Sequence, residues 1–387
     1  MHILEIPSFF PPYGGAFCLE QAKALVAQGH EVRILSNVQL GISIGLKDYL
    51  TLSYRRYEHE MDGVMVYQSY QRGLPKRICF NVNRWVSIVR SMFREYVEKH
   101  GRPDILHAHC AKWAGYASML ISQEYGIPYV ITEHLPLMLL EDEFGKAPSN
   151  AWQISLLKSA YKNASIVLPV SEELVDDTAC YYGKDYKWQY LSNIIDTDYF
   201  HFQTRSSLAK RPFRFCCLAA YSYRKGYDVL FEAYRRLQQT GLSVELHIAG
   251  GLTDSEMCRN EVERLHLKQV RSYGLLDKEG VRNLLYECDA LVLASRSEVQ
   301  PLVLLEAMST GIPVVSTECI PSSLRIEEGC TIVPVGDAEA LASAMNQVAE
   351  QPMADGEVLS AKISELASPA VVGRQLERIF SEVLSSH

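Results

Sequence analysis

ALVLASRSEVQPLVLLEAMSTGIPVVS, residues 290–316, is the stretch that decides the fold. Ala290-Leu291-Val292-Leu293-Ala294 is an unbroken apolar run with no alternation, the pattern of a strand buried on both faces of a parallel sheet. A polar turn carrying Glu298 follows. Pro301 stands where a first helical residue would, a position at which its missing N–H costs nothing. Leu302 to Ser309 reads as a short helix closed by Gly311, with Pro313 beyond it, and Val314-Val315-Ser316 opens the next strand. One carboxylate therefore lies at a strand's carboxyl end and a second, Glu306, inside the helix that follows.

A helix start at that place aims free N–H groups and the positive end of a dipole at an anion. Two carboxylates suit the hydroxyls of one ligand, and a diphosphate flanked by two polyols, as in a nucleotide sugar, matches the arrangement. Glu298 and Glu306, spaced Glu-x7-Glu ahead of Ala-Met-x-x-Gly-x-Pro-Val, make the segment similar to that of the retaining glycosyltransferases of family four. The resemblance implies an α/β protein of the GT-B fold: two doubly wound Rossmann-like domains with a cleft between them.

The rest of the chain fits such an organisation. Its 387 residues suit two domains. Net charge is −8, from 38 basic and 46 acidic residues, which argues against nucleic acid as a partner. Ten cysteines without a Cys-x-x-Cys pair read as reduced thiols. No run of 18 apolar residues is present, and His2 to Ile6 reads as a first strand, so a cytoplasmic protein is expected. Strands at Glu31–Ser36, Val64–Gln68, Ile105–Ala108, Tyr129–Thr132 and Ile166–Pro169 alternate with helices at Ala16–Gln28, Val82–His100 and Gly115–Tyr125. Further strands fall at Phe213–Ala219, Val244–Ala249, Val270–Tyr273 and Thr331–Val333. A linker is placed at Ser192 to Phe200 and the polar stretch up to Pro212. The resemblance then implies an acceptor-binding domain over 1–200, a nucleotide-sugar-binding domain over 201–368, and a last helix, 369–387, returning to the first domain.

Candidate site residues gather at strand ends, where open α/β sheets bind ligands. Gly14 and Gly15 follow the first strand and let a ligand approach the backbone at a helix start. His107 and His109 share one strand face, and Glu133 and His134 close the next strand. Three readings of these histidines stand side by side: a zinc site, satisfied core residues, or a substrate site. In the family a histidine of this His-x-His element contacts the donor sugar, which favours His109, with His107, Glu133 and His134 on the acceptor side. Arg224 and Lys225, before Gly226, match the family's Lys-Gly element facing the diphosphate. Glu298 would bond the hexose hydroxyls and Glu306 the ribose, with Val270 to Gly274 lining the base and the Gln300–Leu302 backbone facing the donor. The chain departs from the family at Ala220, where many members carry arginine, so Arg224 or Arg296 is expected to substitute. Gln300 and Cys319-Ile320-Pro321 also stand where smaller residues are usual. Asp196-Thr197-Asp198 has the spacing of a divalent-metal pair but reads better as a solvated linker turn, and no metal or cofactor is expected.

The expected activity is transfer of a hexose from a nucleoside-diphosphate sugar to a polysaccharide or lipid-linked glycan. A GT-B nucleotide-sugar epimerase and a non-catalytic sugar-nucleotide-binding module are the alternatives. Arg72, Lys76, Arg77, Arg84, Arg90 and Arg94 interleave with Trp85, Val86, Val89 and Phe93 and no acidic residue intervenes. The stretch suits either an anionic membrane surface or a helix whose apolar side packs on the first-domain sheet.

Overall fold

A computed structural model describes residues 1–145, 152–204, 211–351 and 355–387. Part of the expected linker, 205–210, lies outside the described residues. The chain divides into two compact units, Met1–Ile194 with Pro369–His387, and Ile195–Ser368.

The first unit runs β1 (His2–Pro7), α1 (Phe17–Ala27), β2 (Glu31–Leu40), α2 (Leu46–Thr51), β3 (Arg55–Met61), β4 (Val64–Arg72), α3 (Ile78–His100), β5 (Ile105–His109), α4 (Tyr116–Tyr125), β6 (Tyr129–Glu133), α5 (Leu137–Phe144), α6 (Trp152–Asn163), β7 (Ile166–Pro169), α7 (Glu173–Asp177) and α8 (Ala179–Tyr182). Its sheet has the order β3-β4-β2-β1-β5-β6-β7. Neighbouring strands are parallel except for the edge pair β3–β4. Such a sheet is covered on both faces, which is why Ile3, Leu4 and Ile6 of β1 are all fully buried. The order turns about β1, with β2 on one side and β5 on the other, so the ends of β1 and β5 flank a topological switch point.

The second unit contains β8 (Phe213–Leu218), α9 (Tyr227–Gln238), β9 (Val244–Ala249), α10 (Glu256–Arg264), β10 (Val270–Ser272), α11 (Lys278–Glu287), β11 (Ala290–Leu293), α12 (Leu302–Ser309), β12 (Val314–Thr317), β13 (Cys330–Val333), α13 (Ala338–Glu350) and α14 (Gly356–Ala367). Its parallel sheet has the order β10-β9-β8-β11-β12-β13, with the switch point between β8 and β11. The last helix, α15 (Pro369–Ser385), belongs to the first unit, where Val372, Leu376, Ile379 and Phe380 join the apolar layer under α1. Gly373 makes that contact close: a Cβ there would sit 3.2 Å from the Ala24 carbonyl oxygen.

Two strands differ from the sequence reading, and the structure chooses between the two readings of α3. β2 runs on to Leu40 because its ladder with β4 continues to Leu40 opposite Arg72. Strand β3 was not anticipated, because Arg55–Met61 is polar. Its signal was the Asp62-Gly63 turn, where both residues take positive φ, as a tight hairpin requires. Helix α3 turns its apolar side inward: Trp85, Val86, Val89 and Phe93 are buried in the core, and the Trp85 indole N–H donates to the Asn37 carbonyl. Of the two readings of this stretch, packing on the sheet is the one these side chains take. Among the cations, Arg72 donates to Leu52 O, Arg84 donates to Arg72 O, and Arg90 pairs with Glu124.

Candidate functional site

In the second unit the site is assembled by one glycine. Gly226 has φ +68°, and a Cβ on it would lie 1.9 Å from the carbonyl oxygen of Ala294. Only glycine lets the turn after β8 come this near the end of β11. Arg296 N–H bonds Arg224 O across the gap at 2.8 Å. Lys225 Nζ thereby reaches Glu298 Oε1 at 2.5 Å, while Ser295 Oγ donates to the same oxygen at 2.6 Å. Arg224 donates to Ser297 O at 2.9 Å and lies 3.4 Å from Glu298 Oε2. The Glu298 carboxylate is thus covered by two cations and a hydroxyl at the switch point of the sheet.

Of the two arginines offered as substitutes at Ala220, Arg296 is tied elsewhere. It makes paired bonds of 2.8 and 2.7 Å to Asp228 and lies 3.9 Å over the Tyr223 ring. Those bonds hold the Asp228 carboxyl below its usual range, against the effect of burial. Arg224, with 38% of its side chain exposed, is the arginine beside Glu298.

Pro301, expected as the first helical residue, is the cap residue with ψ 111°, and the helix begins at Leu302. Glu306 sits one turn in, and burial pushes its carboxyl up to about 7 despite the attraction of Lys278. Gln300 is buried, with 6% exposed. At the edge of the sheet Val270 begins β10, and Gly274, with φ +68°, accepts a bond from Gly250 N–H at 2.7 Å. Cys319 Sγ lies 3.2 Å from Ser295 O, so this departure from the family backs directly onto the Glu298 turn.

In the first unit the Phe10–Ala16 loop folds on itself. A Cβ on Gly14 would lie 2.7 Å from Phe9 Cβ, and one on Gly15 2.4 Å from the Phe17 ring. Phe17 stacks on His134 with ring centroids 4.7 Å apart. The two glycines therefore have a folding reason of their own, and their loop lies next to His134.

His107 and His109 are almost wholly buried, at 0% and 2% exposure. Glu5, opposite His107 in the β1–β5 register, stands between them. Its Oε2 lies 2.9 Å from His107 Nδ1 and 2.7 Å from His109 Nε2. His107 Nε2 meets Thr132 Oγ1 at 2.7 Å, and His109 Nδ1 meets His134 Nε2 at 3.3 Å. Burial pushes His109 down to about 4, with His107 adding to the effect and Glu5 opposing it. Burial works against the Glu5 anion, but its two imidazole partners outweigh it and hold the carboxyl down at about 2. Glu5 was missed from the sequence; its signal was one acidic residue within an apolar first strand.

Two of the acceptor-side candidates are held by the protein itself. His107 has no exposed surface: Nε2 meets Thr132 Oγ1, and Nδ1 lies 2.9 Å from Glu5 Oε2. Glu133 is spent on its own loop: Oε2 accepts from Ala111 N–H and the Tyr161 hydroxyl, and Oε1 from the His134 and Leu135 N–H groups. A carboxylate carrying four such bonds organises the loop after β6. Among the described residues, one group of acidic, histidine or cysteine side chains has metal-ligand spacing: Glu5, His107 and His109, without His134. Asp196 accepts from Tyr199 N–H at 3.1 Å and pairs with Lys278 at 2.8 Å, the bonds of a turn residue.

Two family models match the chain: Glycosyltransferase Family 4 over residues 14–199, and Glycosyl transferases group 1 over residues 212–351. A relative named as the teichuronic acid biosynthesis glycosyltransferase TuaC of Bacillus subtilis is 26% identical, covering 90% of this chain and 89% of that protein. The glycogen synthase of Mycobacterium tuberculosis is 25% identical over 92% of this chain and 87% of its own. Among solved structures, the sucrose-phosphate synthase of Thermosynechococcus elongatus aligns with TM-score 0.77 at 17% identity, and both chains are fully covered. The HepE protein of Anabaena, solved with UDP-glucose, aligns with TM-score 0.71 at 18% identity, again with both chains fully covered.

Proposed function

Because the chain belongs to the group 1, family 4-type glycosyltransferases of the GT-B fold, we propose that it transfers a hexose from a nucleoside-diphosphate sugar to a growing glycan, with retention and without a metal ion. The observation that carries this reading is the Lys225–Glu298 pair, with Arg224 beside it, at the switch point of the second sheet. A diphosphate entering there competes with Glu298 for both cations. The exchange frees Glu298 to accept from hexose hydroxyls, while Lys225 and Arg224 meet the charge that grows on the departing diphosphate. Glu306 accepts from the ribose. The sugar–phosphate C–O bond breaks as the acceptor oxygen attacks from the same face, and the acceptor proton passes to the departing phosphate oxygen. His109 is the catalytic candidate of the first unit.

One relative named for teichuronic acid biosynthesis and another named a glycogen synthase support a polysaccharide acceptor. A structural neighbour solved with UDP-glucose makes UDP-hexoses the first donors to try. No helix among the described residues is long and apolar enough to cross a membrane. Peripheral attachment, if it serves a lipid-linked acceptor at the cytoplasmic face, falls to the tip before and at the start of α3. There Leu74, Ile78 and Phe80 are exposed at 40, 53 and 50%, next to Lys76 and Arg77.

The deciding experiment incubates the protein with UDP-, GDP- and ADP-hexoses, with and without glycan acceptors, in EDTA. Acceptor-dependent release of nucleoside diphosphate with an α-linked product from an α-linked donor is expected. Donor isomerisation without an acceptor, or activity restored only by Mn²⁺, would replace this reading.

A further inference from the structure

We propose that Glu5 is a positioning residue: its buried carboxylate keeps the His109 proton on Nε2 and so sets the tautomer of a carboxylate–imidazole–imidazole chain running to His134. The role in turnover rests on His109 being the catalytic group of the first unit; the proton arrangement does not. An acidic side chain in the middle of a central strand is costly unless its charge is met. Here Glu5 is fully buried, two imidazoles lie on Oε2, and Oε1 has no hydrogen-bond partner. An ionised carboxylate only accepts, so the nitrogen 2.7 Å away, His109 Nε2, must carry the proton. A neutral imidazole then has a bare Nδ1, which accepts from His134 Nε2–H at 3.3 Å. The His109 and His134 rings lie within 6° of parallel at 5.6 Å, an orientation that one end of the chain sets for the other. His134 in turn stacks on Phe17, next to the Gly14-Gly15 loop.

The groups facing Glu5 are few. His107 and His109 come from β5, and the Cys18 thiol of α1 is close enough to feel the Glu5 charge. His107 is closed off by Thr132 of β6 and by the edge of the Phe380 ring from α15. A shared zinc suits the spacing less well than shared protons. Two tetrahedral ligands at about 2.0–2.1 Å from zinc lie about 3.3 Å apart. The contacts of Glu5 Oε2 are 2.7 and 2.9 Å.

Nitrogen-15 NMR of histidine-labelled protein, with signals assigned by single histidine substitutions, reads the tautomer directly. In the unsubstituted protein at pH 7, His109 should be neutral and protonated on Nε2. Glu5→Gln should move it towards the Nδ1–H form and lower kcat by at least about tenfold, with the donor KM and UDP affinity unchanged. Glu5→Asp, which keeps the charge, should recover part of kcat. UDP affinity and far-ultraviolet circular dichroism report whether each variant is folded. An Nδ1–H tautomer in the unsubstituted protein would overturn the proposal without any variant. So would a folded Glu5→Gln protein with unchanged tautomer and kcat, or one zinc per chain that Glu5→Gln loses. Absence of transfer from every donor, with the tautomer as expected, would instead refute the catalytic reading of His109 and leave the proton arrangement standing.

Discussion

Burial raises the Glu306 carboxyl from 4.5 to about 7, so the folded protein binds this proton more tightly than the unfolded chain does. A raised pKa contributes stability that is complete below the unfolded value and is lost as pH climbs through the folded one. Between pH 4.5 and 7, Glu306 therefore costs the protein at most about 3 kcal/mol. Glu306→Gln should remove that cost, so the variant's melting temperature relative to the parent should rise from pH 5 to pH 8. The same variant should weaken UDP binding about tenfold, because an amide is a poorer acceptor for ribose hydroxyls. Unchanged UDP affinity in calorimetry would take the ribose away from Glu306. Lys225→Ala should weaken UDP by about tenfold to a hundredfold, the worth of one charge-assisted bond of about 1.5–3 kcal/mol. A parallel Arg224→Ala that leaves UDP affinity unchanged would show that nothing has replaced the arginine missing at Ala220.

At the scale of elements, the β8–α9 turn depends on Gly226. Alanine there meets Ala294 O at 1.9 Å and pays for a left-handed backbone. Gly226→Ala should cost about 2–4 kcal/mol in chemical denaturation and weaken UDP as much as Lys225→Ala, because the turn carries Lys225. Full nucleotide affinity in a destabilised variant would detach the lysine from the site. Helix α3 was legible as amphipathic, but a stripe of Trp85, Val89 and Phe93 at helical spacing looks the same whether lipid or a sheet covers it. The sheet covers it. Binding to anionic vesicles at low salt should therefore depend on Lys76, Arg77 and Phe80 and be indifferent to Arg90→Ala. Co-sedimentation that ignores Lys76→Glu with Arg77→Glu would end the peripheral reading.

At the scale of the molecule, α15 completes the first unit although it follows the second in sequence. Its Val372, Leu376, Ile379 and Phe380 are essentially fully buried. Each contributes about 1.5–3 kcal/mol, against a typical total of about 5–15 kcal/mol for a whole domain. A chain ended after Ser368 should therefore lose the first unit's cooperative unfolding transition in calorimetry. An unshifted transition would show that α15 is dispensable. Acid should unfold the protein early, since burial lowers both His109 and His134. A depressed pKa contributes stability above the unfolded value that is lost as pH falls, here from about 6.5 towards 4.

The sequence by itself determined the fold class, the strand–Glu–helix–Glu segment and the strand ends that bear Gly14, His109 and Lys225. These are signals written within twenty or thirty residues, in apolar runs and in proline and glycine punctuation. Contacts between residues far apart in the chain were decided only by tertiary structure. Glu5 meets His109 across 104 positions, and Lys225 meets Glu298 across 73. Whether a carboxylate is spent is also tertiary: Glu133 and Glu298 both read as strand-end acids, yet one is closed by backbone N–H groups and the other by two cations. Local propensity and periodicity report which face of an element is apolar. What a polar side chain on that element meets depends on strand order and register, and those follow from how the whole sheet buries its faces.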